Sequence, residues 1–252
     1  MPPIRGQNVL VIGGSSGIGA AVAKLAAADG VNVSIASSNQ DRVIKAVASM
    51  QAAMPHARIT GYMCDVNHDD VESNLEQLFA DITLTEGSLI DHVVYTATHL
   101  DIKPVTETSV GYLRSSMQFP FVVPFLIAKL ATKYMNQSHC SSIIFTTGSL
   151  AEKPSPGTAV ISGMASSLYG TTRGLALDLA PIRVNLVSPG ATDTALLGTG
   201  DKRAWMVERL AKECVTGKIG SAEEVAEAYI YLMKDTNSTG ACVNTNGGRL
   251  LK

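Results

Sequence analysis

An alternation constrains this chain more than any other feature. Short apolar, β-rich runs fall at Asn8–Ile12, Asn32–Ala36, Arg58–Cys64, Asp91–Thr96, Ser142–Thr147, Arg183–Ser188 and Ala241–Thr245, with helix-length stretches between most of them. Unbroken apolar runs of strand length are buried on both faces, and a parallel pair needs a crossover long enough to hold a helix. The pattern predicts an α/β fold: a doubly wound parallel sheet with helices on both faces. Helices are expected over Gly17–Asp29, Gln40–Met54, Asp69–Ile82, Ser162–Leu179 and Ser221–Met233, the last opened by a Ser-x-x-Glu capping box at Ser221 and Glu224. Tyr112–Met135 reads as a long helix interrupted near Pro120 or Pro124, because proline cannot continue the hydrogen-bond ladder. With no internal repeat, low-complexity tract or linker, residues 1–252 read as one domain.

Between the first strand and the first helix stands Ile12-Gly13-Gly14-Ser15-Ser16-Gly17-Ile18-Gly19. Glycines there permit a tight turn, let backbone approach a pyrophosphate and place it at the positive end of a helix. This predicts a single-domain Rossmann fold whose nucleotide site includes Gly13, Ser15, Ser16, Gly17 and Ile18. The second strand ends in Ser37-Ser38-Asn39, without the carboxylate that holds a ribose 2′-hydroxyl in NAD sites. Hydroxyl and amide donors suit a 2′-phosphate, so NADP(H) is the expected cofactor; the alternative is that these residues only cap the next helix. Arg42 either assists the phosphate or lies on a solvated helix face.

Composition narrows the partners. Hydrophobic residues make up 46% and charged residues 17%, enough for a large core, and the net charge of −2 shows no basic excess. No nucleic acid or membrane partner is expected. The cysteines Cys64, Cys140, Cys214 and Cys242 are widely spaced, which predicts a reduced cytoplasmic chain without a metal site. No apolar signal segment opens the sequence, and no apolar run reaches the roughly twenty residues of a membrane span.

The Gly-x-x-x-Gly-x-Gly turn, Cys64-Asp65-Val66, the run Arg183-Val184-Asn185-Leu186-Val187-Ser188-Pro189-Gly190, Thr194 and Asn244-Thr245-Asn246-Gly247-Gly248 together resemble the short-chain dehydrogenase/reductase family across nearly the whole chain. The resemblance implies adenine contacts from Asp65 and Val66, and contacts near the nicotinamide from Pro189, Gly190, Thr192 and Thr194. It also implies a homo-oligomer, dimer or tetramer, joined through long helices.

The departures from that family concern its chemistry. Tyr95-Thr96-Ala97-Thr98 stands where the family has Asn-Asn-Ala-Gly, and no asparagine lies near Gln118–Pro120. Registering Leu175-Ala176-Leu177-Asp178-Leu179 on the family pattern puts Ile161 at the catalytic tyrosine, Ala165 at the lysine, and Gly148, beside Ser149, at the serine. A second register uses Tyr169 and Arg173 but leaves too short a span before Pro189-Gly190, so the first is adopted. In the family the tyrosine protonates the developing alkoxide and the lysine lowers its pKa. Without them, three outcomes remain: reduction of a cationic iminium that needs no proton donor, a cyclase or isomerase in which the cofactor is only a wall, or a non-catalytic NADP-binding protein. The first is preferred.

The narrower pattern is similar to divergent fungal natural-product reductases, a group that includes imine reductase/Diels–Alderase enzymes of indole alkaloid assembly. Those are associated with a helix aspartate near the altered positions, whereas this helix offers Ser166 and no aspartate before Asp178. The segment from Asp193 to about Ile219 is expected to form a substrate lid, with Leu196, Leu197, Trp205 and Met206 facing a bulky apolar ligand, or else with Trp205 merely packing. Tyr169 is expected at a helix-packing surface or at the pocket edge. Ser149 and His99 are the candidate proton donors, with Asp101 placed to orient His99; the alternative for His99 is a polar anchor in the pocket or an ordinary surface or structural residue, and Glu152 and Lys153 read as a solvated turn.

Overall fold

The computed structural model describes residues 1–252 and contains seven parallel strands in one sheet, in the order β3-β2-β1-β4-β5-β6-β9. These are β1 (Asn8–Ile12), β2 (Asn32–Ser37), β3 (Ile59–Met63), β4 (His92–Tyr95), β5 (Ser142–Thr146), β6 (Arg183–Pro189) and β9 (Cys242–Thr245). The last, β9, pairs beside β6, with Leu186 opposite Cys242. Two further strands, β7 (Thr192–Asp193) and β8 (Gly220–Ser221), pair with each other outside the main sheet.

Alternation along each strand sorts the core into two layers. Leu10, Ile12, Val93 and Phe145 point to one face, where α3 (Val71–Glu86), α5 (Val123–Tyr134) and α6 (Ala159–Asp178) cover them. Val9, Val11, Val94 and Ile144 point to the other, under α1 (Gly17–Ala28), α2 (Gln40–Ala53) and α8 (Ala222–Lys234). Each fully buried aliphatic side chain contributes roughly 1.5–3 kcal/mol. The doubly wound architecture expected from the alternation is therefore present.

The long helix expected over Tyr112–Met135 is broken into α4 (Val110–Ser116), a π-helical turn at Gln118–Val122, and α5. Pro120 and Pro124 cannot donate to the preceding turn, and the wider turn accommodates them. The break is held from both sides. Tyr95 Oη donates to the Phe119 carbonyl at 3.1 Å, and Gln118 Nε2 to the Val66 carbonyl at 2.9 Å.

After β6 the chain leaves the sheet. It forms a short 3₁₀ turn at Ala195–Leu197 and α7 (Gly200–Ala211), then returns through β8 to α8. No residue of α7 is buried, and no helix of the chain is long and apolar enough to cross a membrane.

Candidate functional site

Strand order reverses between β1 and β4, because the chain winds outward to β3 on one side and to β9 on the other. In such sheets the crevice beyond the carboxyl ends of the strands at this switch point is where ligands sit. Here it is bounded by the Gly13–Gly19 turn and by Thr96–Thr98.

The turn is drawn tight enough that only glycine is tolerated. A Cβ on Gly13 would lie 2.6 Å from the Ala97 nitrogen, and one on Gly19 would lie 2.4 Å from the Gly13 carbonyl oxygen. Gly17 adopts φ +53° at the start of α1, the left-handed region that disfavours side chains. Thr96 locks the arrangement by donating both its backbone N–H (2.9 Å) and its hydroxyl (3.2 Å) to the Ile12 carbonyl. Backbone N–H groups at the start of α1 and a surface without side chains suit the pyrophosphate of a dinucleotide. Ser15, Gly17 and Ile18 are half-buried and Ser16 exposed, so the cradle is open. Thr194, from the segment after β6, comes to within 3.3 Å of where a Gly17 Cβ would stand. The predicted pyrophosphate and nicotinamide residues thus meet.

At the end of β2, Asn39 is the N-cap of α2, and its side-chain oxygen accepts from the Arg42 N–H at 2.9 Å. The capping alternative therefore describes Asn39, while Ser37 and Ser38 have no such duty. Asp65 Oδ1 accepts from the Asn67 N–H, and the Asp65 carbonyl from Asn74 Nδ2, which fixes the turn after β3 beside buried Val66. Farther along the edge, Pro189 and Thr192 are buried, and the Thr192 hydroxyl donates to the Gly190 carbonyl. A Cβ on Gly190 would stand 2.7 Å from Asn246 Cα, so β6 and the C-terminal turn touch directly there.

The β5–α6 corner is different in character. Gly148 is extended, and a Cβ added to it would find nothing nearer than the Pro189 carbonyl at 3.8 Å. Half-buried Ile161 and Ala165 lie one turn apart on α6, and Thr147 Oγ1 donates to the Ala165 carbonyl at 2.8 Å, which ties this face of the helix to the end of β5. Tyr169 lies two turns beyond Ile161, about 12 Å farther along the axis. Its hydroxyl donates to Glu152 Oε1 at 2.6 Å, and burial, followed by that carboxylate, pushes the phenol well above its usual pKa. It shares a small recess with Arg173, Leu186 and Cys242 on the β6–β9 side.

The two candidate donors have distinct surroundings. Ser149 is 6% exposed and accepts a hydrogen bond from Arg249 Nη1 at 3.1 Å. His99 is exposed on the loop after β4. The expected partnership with Asp101 does not form, because that carboxylate faces Lys103 Nζ at 3.4 Å and the Asp101 carbonyl accepts from Tyr112 Oη. Glu152 lies exposed in a turn, as expected, and there accepts from Tyr169, whereas Lys153 is half-buried and its Nζ donates to the Arg249 carbonyl at 3.1 Å.

In the segment after β6, Trp205 is 56% exposed with the Arg209 guanidinium 5.3 Å from its ring centroid; Met206 and Leu197 are half-buried and Leu196 is exposed. A groove of about 310 Å³ lies between α7 and the start of α8, lined by Asp193, Val207, Ala211 and Ile219 among others. The residue most clearly missed by sequence reasoning is Arg249, 7% exposed and bonded to residues nearly a hundred positions away. One signal for it was available: it is the single charged residue between Ala241 and Leu251.

Residues 4–252 match the family model of the SDR-like Rossmann domain. A short-chain dehydrogenase/reductase of Stachybotrys chlorohalonatus, ATR9, is 46% identical over 253 residues, covering 100% of both chains. The short-chain dehydrogenase/reductase malC of Malbranchea aurantiaca is 38% identical over 257 residues, covering 99% of this chain and 96% of that one. The solved structure of the MalC reductase/Diels–Alderase superposes with a TM-score of 0.94 over 99% of this chain and 98% of its own. LugOII, a promiscuous reductase that catalyses keto-reduction at C1 during lugdunomycin biosynthesis, is 26% identical, with full coverage of both chains and a TM-score of 0.90. Fold, nucleotide cradle and relatives agree: this chain belongs to the short-chain dehydrogenase/reductase family, whose members are oxidoreductases that bind NAD(H) or NADP(H).

Proposed function

We propose that this chain is an NADPH-dependent reductase of a bulky, cyclic iminium or imine-type substrate in natural-product biosynthesis, and that it assembles as a homo-oligomer. One observation carries the reaction type. The β5–α6 corner presents Gly148, Ile161 and Ala165, and the tyrosine next along α6 is committed to Glu152 with its pKa raised. A bound nicotinamide dinucleotide supplies hydride. Addition of hydride to a neutral ketone creates an alkoxide that needs a proton, whereas addition to an iminium carbon removes a positive charge and needs none. A corner that places the substrate against the nicotinamide, with no proton donor at Gly148, Ile161 or Ala165, serves the second reaction.

This chain's own residues would divide the work. Gly13, Ser15, Ser16, Gly17 and Ile18 hold the pyrophosphate; Asp65 and Val66 face the adenine; Pro189, Gly190, Thr192 and Thr194 position the nicotinamide end. Ser37 and Ser38, with no carboxylate beside them, receive a 2′-phosphate, aided by whatever Asn39 retains after capping α2. The segment 193–219 acts as the lid, offering Trp205, Met206 and Leu197 to the ligand, with Tyr169 at the far edge. The names of the relatives support a reductase role in natural-product biosynthesis: one structural match is a reductase/Diels–Alderase, another catalyses a keto-reduction in such a pathway.

A mixed substrate panel, read by NADPH absorbance and product mass, tests this. Cyclic iminium compounds are expected to consume NADPH, and simple ketones little or none. Ready reduction of unactivated ketones would overturn the mechanism and direct attention to Ser149 and His99, whose replacement by alanine would then abolish turnover. In titrations, NADPH should bind about tenfold or more tightly than NADH, and Ser37→Asp should invert the order, since a carboxylate repels the phosphate and accepts from a ribose hydroxyl.

A second reading, cyclisation without redox, is suggested by the Diels–Alderase activity named for MalC. Conversion of a substrate to its isomer with no NADPH consumed would favour it. The α6 residue nearest to a candidate for that chemistry, Ser166, is spent on the carbonyls of Ala151 (2.7 Å) and Ser162 (2.8 Å), and α6 carries no acid before Asp178.

A further inference from the structure

Two buried arginines brace this molecule, and they do so differently. Arg183 is 3% exposed, and every acceptor it uses is a backbone carbonyl: His139, Cys140, Leu232, Met233 and Ser238. It closes the C-terminal end of α8 and is a fixture at the start of β6, between β5 and β9. Arg249 bonds mostly to side chains, on two separate segments. Nε reaches Glu213 Oε2 (3.1 Å), Nη1 reaches Ser149 Oγ (3.1 Å) and the Lys153 carbonyl (3.2 Å), and Nη2 reaches Ser155 Oγ (3.2 Å).

The backbone brings it there deliberately. Gly247 and Gly248 adopt φ +62° and +77°, and the turn they make presses against the root of the segment that follows α7. A Cβ on Gly247 would stand 2.8 Å from Thr216 Oγ1, and one on Gly248 would stand 2.9 Å from Val215 Cβ. The Thr216 N–H donates to the Gly247 carbonyl at 3.1 Å. The C-terminal tail therefore runs beneath Cys214–Thr216, and Arg249 emerges from it between that root and the loop 149–155.

We propose that Arg249 is a positioning residue that sets the spacing between the two walls of the substrate cleft. One wall is the 149–155 loop leading into α6, where Ile161 and Ala165 stand. The other is α7, which has no buried residue and is held at its far end through Glu213 beside buried Cys214. Arginine suits this task because its planar fork serves several acceptors at fixed angles, which a lysine ammonium cannot do. A guanidinium removed from water is stable only when its donors are matched, so the pair of walls is held at one separation. The placement of these segments as cleft walls rests on the function proposed above. The bracing itself does not, and it is read without turnover.

The lid carries its own reporters. Lys202, Arg203, Arg209 and Lys212 are tryptic sites, and Trp205 is the only tryptophan. In the wild-type protein, brief trypsin treatment should spare this segment, and NADPH should change Trp205 emission. Arg249→Ala is expected to raise cleavage within 200–212 about tenfold or more, reflecting a larger open population, while cleavage elsewhere is unchanged. The NADPH-induced change in Trp205 emission should shrink in step. Glu213→Ala leaves Arg249 in place and removes only the acceptor on the α7 arm, so it should reproduce the lid cleavage; Arg249→Lys should restore little. With a working substrate, both variants should raise KM more than they lower kcat. Lid cleavage that stays at the wild-type rate in Glu213→Ala would overturn the proposal. So would cleavage in Arg249→Ala that rises equally across the chain, since that is loss of fold rather than of position. Failure of the substrate panel would leave these cleavage results standing and sink only the reaction type.

Discussion

Helices α7 and α8 are neighbours of almost equal length, both amphipathic, yet only one belongs to the core. From α8, Val225, Ala226, Tyr229, Ile230, Leu232 and Met233 are buried, whereas α7 buries nothing. The ends differ as well. At the start of α8, Ser221 and Glu224 exchange hydrogen bonds in a complete capping box, and at its end Arg183 takes the carbonyls of Leu232 and Met233. In contrast, α7 has no side-chain cap and is tied by Arg203 to Asp193 Oδ1 (2.7 and 3.0 Å) and, beyond its end, by Arg249 to Glu213. An apolar stripe thus does not by itself commit a helix to the core. A helix tethered at its ends, with its apolar face unsealed, remains available to a ligand.

The largest effect expected from testing this contrast is at Tyr229, which is fully buried with its hydroxyl 2.7 Å from Thr146 Oγ1. Since Thr146 gives its proton to the Tyr95 carbonyl, Tyr229 must be the donor. Tyr229→Ala should cost about 3–5 kcal/mol in denaturant unfolding. A loss below about 1 kcal/mol would show α8 to be as loosely attached as α7.

Next comes acidity. His92 is fully buried between Ser142 Oγ and Gln7 Oε1, both at 2.9 Å, and burial, with Arg183 nearby, pushes its pKa down to about 3. The unfolded chain binds this proton near pH 6.5 and the folded one only near 3, so between those values the unfolded state holds the extra proton. Stability should therefore fall as pH drops below 6.5, by up to about 1.4 kcal/mol per pH unit from this group. His92→Gln should flatten that slope. An unchanged slope would mean that His92 is not the source of the acid sensitivity.

The smallest effect on stability is expected at Trp205. Exposed and stacked only on Arg209, it should change unfolding by no more than about 0.5 kcal/mol when replaced by alanine. A loss above about 2 kcal/mol would place α7 in the core and end the contrast.

What the sequence discloses follows the same division. Central strands were legible because a strand buried on both faces is an unbroken apolar run, as in Val9-Leu10-Val11-Ile12 and Ile143-Ile144-Phe145. The capping box at Ser221 was legible because its two partners are three residues apart. The interruption of the fourth long helix was legible from Pro120 and Pro124, but its π-helical form was not, since that depends on Tyr95 and Val66 holding the turn open. Nor was the pairing of Tyr169 with Glu152, or of Arg249 with Ser149 and Glu213. Such contacts join residues far apart in the chain, and no local periodicity records them. His99 and Asp101 show the converse, for closeness in sequence suggested a partnership that Lys103 takes instead.

The short ladder of β7 and β8 has a consequence for how such an enzyme diversifies. Thr192 pairs with Gly220 and Asp193 with Ser221, so the excursion from 194 to 219 leaves and rejoins the body at adjacent points. Lengthening it is cheap in chain entropy, since doubling a flexible loop costs only about 0.6 kcal/mol. The part of it between Thr194 and Glu213 can therefore be exchanged like a cassette, with strand register, the Thr194 contact at Gly17 and the Arg249–Glu213 anchor left in place. New ligand preferences can be acquired by grafting at two fixed seams, in nature or at the bench, without refolding the scaffold beneath.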